Sequence, residues 1–163
     1  MNLKNKTVII TGSSRGIGRE IALRCAKDHA NVVIIGKTTE PHEKLEGTIH
    51  SVAQEVTDAG GQALPIALDL REDSQYEGVI NQILDTFKSI DVLVNNASAL
   101  YMSKMEDTPT KKYDLVNGVN GRATFLFTQA CLPSLLANKQ SDVLTISPPL
   151  NLETKEFGKC PAY

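Results

Sequence analysis

The feature that most constrains this chain is an apolar strand that runs into a glycine-spaced turn close to the N-terminus. Val8, Ile9 and Ile10 form a continuous β-branched run, which is typical of a strand buried on both faces of a parallel sheet. The next residues, 11–18, read Thr-Gly-Ser-Ser-Arg-Gly-Ile-Gly, which gives the glycine spacing G-x-x-x-G-x-G. This pattern predicts a strand, a tight turn and then a helix.

The three glycines of the turn, Gly12, Gly16 and Gly18, predict a phosphate site. Without Cβ atoms they let the backbone turn tightly and let a pyrophosphate approach the helix N-terminus, where free N–H groups and the macrodipole favour negative charge. An isolated glycine turn is weak support, because many such turns bind nothing. Here a helical pattern and then a second strand follow, which makes a βαβ unit of about 30 residues.

Composition excludes several classes of function. The 163 residues are 41% hydrophobic and 22% charged with a formal net charge of -2, which predicts one soluble domain, residues 1–163. A pI near 5.9, an aromatic content of 5% and the absence of Trp disfavour nucleic acid as a partner. The sequence has no apolar run of about 18 residues, so we expect no membrane span, and no signal-peptide core precedes the first strand.

Cysteines and histidines point to packing and loops and not to metal or disulfide sites. Cys25, Cys131 and Cys160 are widely separated and odd in number, which predicts free thiols in an intracellular, reducing compartment. Cys25 and Cys131 fall in helical apolar patterns and are predicted to pack in the core. His42 and His50 flank a polar loop, and because their spacing does not bring ligands together we predict no metal site.

Apolar runs alternate with helical patterns along nearly the whole chain, which predicts an α/β fold with a parallel sheet and helices on both faces. The later strands are predicted at 31–36, 62–69, 90–95 and 142–147. The helices are predicted at 16–29, 47–59, 75–87, 111–118 and 121–137. A ligand of such a doubly wound sheet lies outside the carboxyl ends of the strands, which is where the candidate motifs occur.

Three motifs at strand ends together resemble the short-chain dehydrogenase/reductase family. They are the glycine turn, the Asp69-Leu70 pair after the third strand, and Asn95-Asn96-Ala97-Ser98 after the fourth. The resemblance runs from Lys6 to Tyr163. It implies a Rossmann-type doubly wound parallel sheet of about five strands, with the family's last strands missing from the C-terminus.

Within that family, three stretches resemble the hydroxysteroid dehydrogenase-like protein 2 subgroup, namely residues 41–45, 107–111 and 146–152. This resemblance implies a small hydrophobic substrate, lipid or steroid-like. It also implies a location in peroxisomes or mitochondria, although the chain shows no targeting signal. A homo-oligomer and a small-molecule substrate are the expected partners.

The resemblance implies a nicotinamide cofactor, and the end of the second strand predicts which one. In the family a carboxylate at that place accepts hydrogen bonds from the adenosine ribose and repels a 2′-phosphate. Here Gly36 occupies the place and Lys37 follows it. Because Lys37 and Arg15 could clamp a 2′-phosphate, NADP is expected, with NAD as the alternative. The competing interpretation is that both are solvated surface charges.

The other cofactor positions carried over from the family lie on the turn and at strand ends. They are Gly12, Ser14, Gly16, Ile17, Gly18, Asp69, Asn95 and Ala97. The resemblance implies that Asp69 binds the edge of the adenine ring and that Asn95 lies along the cofactor. Structurally, Asn95 and Asn96 could equally be turn residues that end a strand.

For catalysis, the resemblance implies hydride transfer between the nicotinamide and a carbonyl or alcohol carbon. Matched residue by residue, Tyr163 is the proton-transferring tyrosine, Ser147 polarises the substrate oxygen and Asn120 anchors the proton relay. A phenol with a pKa near 10 needs its anion stabilised, and the family uses a lysine four residues beyond the tyrosine. The sequence ends before that position, so we expect the 163 residues alone to be inactive or weakly active. A non-catalytic nucleotide-binding or interaction module is the alternative.

Overall fold

The apolar runs of the sequence pair into one parallel sheet in a computed structural model that describes residues 3–43 and 46–147. Its strands are β1 (Thr7–Thr11), β2 (Asn31–Gly36), β3 (Gln62–Ala67), β4 (Val92–Asn95) and β5 (Asp142–Thr145). Their order across the sheet is β3-β2-β1-β4-β5, and every pairing is parallel. The Rossmann-like, doubly wound sheet expected from the sequence is confirmed.

Helices cover both faces of the sheet. They are α1 (Gly16–Lys27), α2 (Ile49–Asp58), α3 (Tyr76–Phe87), α4 (Thr110–Asn117) and α5 (Thr124–Ala137). Because successive strand residues point to opposite faces, Val8 and Ile10 pack with α1 and α2, whereas Ile9 packs with α3 and α5. Cys25 on the first side and Cys131 on the second are buried free thiols, as expected.

Several element boundaries differ from those predicted. Helix α1 ends at Lys27 because His29 takes a left-handed conformation with φ of 59°. Strand β3 ends at Ala67 because its partner β2 ends at Gly36, directly opposite. Residues Gly118–Ala123 form a π-helical turn that joins α4 to α5, where the sequence predicts a break.

The start of α2 is fixed by a reciprocal capping box. The Thr48 hydroxyl accepts the Ser51 N–H at 3.0 Å, and the Ser51 hydroxyl accepts the Thr48 N–H at 2.9 Å. The Ile49 N–H donates to the Thr38 carbonyl at 2.9 Å. These bonds join the end of the β2–α2 loop to its beginning, beside the glycine turn.

One edge of the described sheet, formed by β5 and the neighbouring helix α5, exposes apolar side chains to solvent. We call this edge the α5/β5 surface, and it comprises Phe125, Leu132, Leu136, Val143, Leu144 and Ile146. All four residues of β5 are exposed, and β4 is its neighbour in the described sheet. No helix in the described part of the chain is both long enough and apolar enough to cross a bilayer.

Candidate functional site

A cleft of about 530 Å³ lies at the carboxyl edge of the sheet. Its walls come from the turn after β1, the end of β2, the segments that follow β3 and β4, and the end of α4 with the π-helical turn. Strand β1 has β2 and β3 on one side and β4 and β5 on the other. The carboxyl end of β1 is therefore the topological switch point, where the strand order reverses. Ligands of doubly wound sheets bind at such a point.

Close packing explains two of the three glycines in the turn. Gly12 has φ of +65°, and a Cβ there would lie 2.7 Å from the Cα of Ala97. A Cβ on Gly18 would lie 2.5 Å from Nδ2 of Asn96 and 2.6 Å from the Gly12 carbonyl oxygen. Gly16 differs, because its Cβ would meet nothing within 4 Å, and its φ of +58° is what favours glycine. The turn therefore packs against the segment after β4.

The N-terminus of α1 faces this cleft with its N–H groups available. Arg15 is the N-cap residue and makes no side-chain capping hydrogen bond, and the first turn carries no acidic side chain. Ser14 is buried and Ile17 is 63% exposed, and both line the cleft. Uncapped N–H groups together with the helix dipole suit a phosphate or another anion.

Thr11 and Asn96, which the sequence interpretation did not single out as binding residues, hold the cleft together. The Asn96 side chain donates to the carbonyls of Thr11 at 2.9 Å and Gly12 at 3.1 Å. The Thr11 hydroxyl accepts the N–H groups of Asn96 and Ala97, each at 3.0 Å. A threonine and an asparagine at adjacent strand ends are the signal that could have indicated this cross-link.

Asn95 points away from this network. It is buried, and its side chain donates to the Thr128 hydroxyl of α5 at 3.0 Å, so it contacts a helix and does not line the cleft. Ala97, next but one in the chain, does line the cleft. Within the motif of residues 95–98, Asn95 thus anchors β4 to α5, and the residues after it form the cleft wall.

Asn120 lies in the π-helical turn and is tied to the same wall. Its Oδ1 accepts the Ala99 N–H at 2.8 Å, and its Nδ2 donates to the Ala99 carbonyl at 3.0 Å. Ser147 is exposed and follows β5, whose last residue pairs with Asn95. The structure therefore places Ser147 at the same edge of the sheet as the cleft. Tyr163 lies outside the described residues.

A cluster of charges surrounds Asp69 at the cleft wall. Arg71 binds this carboxylate through Nε at 3.0 Å and Nη2 at 2.6 Å, and Lys37 lies 3.3 Å from it. The hydrogen bonds from Arg71, helped by Lys37 and opposed by partial burial, hold the pKa of Asp69 well below its usual range. The sequence interpretation missed Arg71, although a cation two residues after a carboxylate is a visible signal.

Arg15 is held from the opposite side, by the loop between β2 and α2. Its Nε donates to the Glu46 carbonyl at 3.1 Å, and its Nη2 donates to the Thr38 hydroxyl at 3.0 Å and the Gly47 carbonyl at 3.4 Å. Arg15 and Lys37 both line the cleft near Gly36. In the described part of the chain, no three His, Cys, Asp or Glu residues come together as a metal site requires.

The sequence model described as short chain dehydrogenase matches residues 6–158. The chain belongs to the short-chain dehydrogenase family. Hydroxysteroid dehydrogenase-like protein 2 of Homo sapiens is 49% identical over 157 residues, which are 96% of this chain and 38% of the human protein. The resemblance to that subgroup is thereby confirmed, and the chain spans between 30% and 38% of the length of the curated relatives it matches.

Solved structures of short-chain dehydrogenases share the fold. A protein described as a dehydrogenase from Xanthomonas campestris is 47% identical with a TM-score of 0.94, covering 100% of this chain and 60% of that one. A metagenomic short-chain oxidoreductase in complex with NADP is 27% identical, with a TM-score of 0.84 and coverage of 94% and 66%. An NADH-dependent reductase complexed with NAD is 28% identical, with a TM-score of 0.76 and coverage of 88% and 59%. The short-chain dehydrogenase fold therefore binds nicotinamide nucleotides of both kinds.

Proposed function

We propose that this chain is the cofactor-binding portion of an NADP(H)-dependent oxidoreductase that interconverts a hydroxyl and a carbonyl on a small hydrophobic substrate. The observation that carries the proposal is the cleft at the switch point of the sheet. It combines an uncapped helix N-terminus with two cations, Arg15 at that N-terminus and Lys37 directly after β2. A pyrophosphate suits the first, and an additional phosphate suits the second.

The choice of NADP over NAD rests on the absence of a carboxylate at the end of β2. Gly36 ends this strand, and Arg15 and Lys37 flank it in the cleft wall. A glycine leaves room for a 2′-phosphate, and two cations stabilise its charge. Asp69 does not cancel this preference, because Arg71 already binds that carboxylate through two nitrogen atoms.

The bound nicotinamide would supply the hydride, and the residues of the chain would hold the reactants and the proton. We assign Ser147 to polarising the substrate oxygen and Tyr163 to carrying the proton, on the family resemblance. We assign Asn120 to anchoring the proton relay, and both polar atoms of its side chain bind Ala99 in the cleft wall. Because Tyr163 lies outside the described residues, its part rests on the resemblance alone.

The proposed substrate is hydrophobic because the open end of the cleft is lined and followed by apolar side chains. Ile17 at the start of α1 is 63% exposed, and Leu100 and Met102, directly after the cleft wall, are 58% and 60% exposed. Exposed apolar groups next to this cleft favour an apolar ligand. A lipid or steroid-like alcohol or ketone fits this description.

The whole protein's activity, compartment and assembly are part of the proposal. The relatives are longer than this chain, and the resemblance to the subgroup supports a peroxisomal or mitochondrial enzyme that forms homo-oligomers. For a polypeptide of these 163 residues we propose nucleotide binding with weak turnover or none.

Binding measurements test the proposed cofactor choice. We expect the fluorescence change on binding to give NADPH a Kd at least about tenfold lower than that of NADH, because a charge-assisted contact to the 2′-phosphate contributes about 1.5 to 3 kcal/mol. Lys37→Asp should remove this preference. Lys139→Asp makes the same charge change on an exposed residue remote from the cleft and should leave both affinities unchanged. Equal affinity for the two cofactors in the parent chain would refute the NADP assignment.

A non-catalytic interaction module is the second candidate, and the α5/β5 surface favours it. An exposed strand with apolar side chains favours association with another protein chain. Turnover distinguishes the two functions: the oxidoreductase predicts NADPH oxidation with some member of a panel of ketones and aldehydes, lost in Tyr163→Phe. A chain that binds NADPH but reduces no carbonyl, even when it is joined to the C-terminal segment of one of its longer curated relatives, would be a module.

A further inference from the structure

Arg15 and Lys37, the two cations of the cleft, are held in different ways. Lys37 is 60% exposed along its side chain and has one ion pair, with Asp69 at 3.3 Å. Arg15 is half-buried and makes three hydrogen bonds with the β2–α2 loop. A long side chain loses much rotamer freedom when it binds a ligand, and a side chain that is already ordered loses less. Arg15 is therefore the preorganised cation.

The hydroxyl of Thr38 is the one side-chain acceptor among these three bonds. The other two acceptors are the main-chain carbonyls of Glu46 and Gly47. Together the bonds use Nε and Nη2 of Arg15. Among the residues that the structure describes, no hydrogen bond uses Nη1, so its N–H groups are left for a ligand in the cleft. Every loop offers main-chain carbonyls whatever its sequence. Of the three acceptors of Arg15, only the one at position 38 therefore depends on the residue type.

Thr38 is itself fixed from two directions. It follows Lys37 at the end of β2, and its carbonyl accepts the Ile49 N–H of α2 at 2.9 Å. Gly47 closes the same loop with φ of +83°, and a Cβ at that position would collide with the Ser14 carbonyl. The hydroxyl of Thr38 is thus presented to Arg15 by a loop whose two ends are pinned against the glycine turn.

We infer that Thr38 is a specificity-determining positioning residue, which orients the Arg15 guanidinium toward the 2′-phosphate of the cofactor. This inference rests on the proposed function, since it concerns the same cofactor site. Thr38 itself lines the cleft, but its hydroxyl accepts a hydrogen bond from Arg15, so its action goes through that guanidinium. Its removal should weaken recognition of the 2′-phosphate and leave recognition of the rest of the nucleotide intact.

The test compares 2′,5′-ADP with 5′-AMP, two probes that differ in the 2′-phosphate. Their Kd values are measured by calorimetry on the 163-residue chain and its variants. We expect the parent chain to prefer 2′,5′-ADP, and we expect Thr38→Val to reduce this preference about 3- to 10-fold, as the loss of one ordinary hydrogen bond implies. The affinity for 5′-AMP should not change.

Two matched variants separate positioning from a general effect on the loop. Thr38→Ser keeps the hydroxyl and should restore the preference to within about twofold of the parent value. Thr39→Val makes the same substitution at the next residue, which makes no hydrogen bond with Arg15, and should also retain the preference. Thermal unfolding checks that each variant folds, and Thr38→Ala replaces Thr38→Val if the latter does not.

The outcomes distinguish this inference from the proposed function. If the parent chain binds both probes equally, the NADP assignment is wrong and the role of Thr38 falls with it. If the parent prefers 2′,5′-ADP but Thr38→Val keeps the full preference, or weakens both probes equally, the inference alone is overturned. Loss of the preference in Thr38→Val with its return in Thr38→Ser supports it.

Discussion

Gly18 lies in α1 with its Cα against the turn that follows β4. A Cβ there would approach both the Asn96 side chain and the Gly12 carbonyl. The Asn96 side chain is already bound to the carbonyls of Thr11 and Gly12, so it cannot move without breaking those hydrogen bonds. A single added carbon would thus disturb the cleft wall, although glycine inside a helix is usually unfavourable.

Gly18→Ala and Gly78→Ala provide a matched pair at the residue scale. Both glycines are in helices, and alanine improves intrinsic helix propensity by about 1 kcal/mol in each. Gly78 is surrounded by open space, so we expect its substitution to raise the free energy of unfolding. For Gly18→Ala we expect a loss of about 1 to 3 kcal/mol and at least about tenfold weaker nucleotide binding, measured by urea unfolding and NADPH titration. Equal stabilisation by both substitutions would show that the close contact at Gly18 is unimportant.

Asp91 joins three strands at the edge opposite the cleft. It directly precedes β4, and its buried carboxylate accepts the Lys6 ammonium at 2.7 Å, the Thr7 N–H at 2.9 Å and the Ser89 hydroxyl at 3.0 Å. The main chain of Asp91 also pairs with Thr7 of β1 and Asp142 of β5. Burial alone would raise the pKa of Asp91, but these hydrogen bonds outweigh it and the pKa is lowered.

The lowered pKa of Asp91 predicts how stability depends on pH. Because the folded pKa lies below the unfolded value of about 3.9, the stabilisation is fully present above that pH and is lost as pH falls through the folded pKa. We expect Asp91→Asn to lower the free energy of unfolding by about 2 to 3 kcal/mol at pH 7 and to flatten its decline below pH of about 4. Asp142→Asn, an exposed carboxylate on the next strand, should change it by less than about 0.5 kcal/mol. Urea unfolding between pH 2.5 and 7 measures both, and an unchanged acid limb in Asp91→Asn would contradict the assignment.

Apolar surface is distributed unevenly over the whole molecule. The described helices and strands bury the sheet on both faces, yet the α5/β5 surface leaves Leu136 at 73% and Leu144 at 50% exposure. Water contact with such side chains is unfavourable, and an exposed parallel strand adds main-chain groups that can pair with another chain.

We therefore expect the 163-residue chain to associate as its concentration rises. Leu136→Glu combined with Val143→Lys should shift the population toward monomer, because charge on this surface opposes contact between copies. Met105→Glu changes a residue that is 75% exposed elsewhere on the molecule and should have no effect on association. Sedimentation velocity measures the populations. A chain that stays monomeric without these substitutions, or associates equally with them, would show that the surface is inert.

The sequence predicts β1, β2 and β4 because buried parallel strands are continuous apolar runs, and it predicts the cleft because glycines and asparagines occur at the strand ends. It does not predict the acceptors of Arg15, since main-chain carbonyls at positions 46 and 47 leave no trace in residue type. It does not predict the π-helical turn before α5 either, because residues 118–123 carry no signal beyond two glycines. Local patterns report burial and turns, whereas contacts through the main chain depend on the assembled fold.

The hydrogen bond between the Ile49 N–H and the Thr38 carbonyl closes the β2–α2 loop at its base. The hydrogen bonds from Arg15 to the carbonyls of Glu46 and Gly47 hold the C-terminal part of this loop beside the glycine turn. Residues added or removed in the middle of the loop would then change how far the loop extends into solvent and would leave the cleft unchanged. The cost in stability would be small, because closure entropy grows only slowly with loop length. Short-chain dehydrogenases outside the hydroxysteroid dehydrogenase-like protein 2 subgroup should accordingly differ in length between positions 39 and 45 while keeping the same spacing on either side.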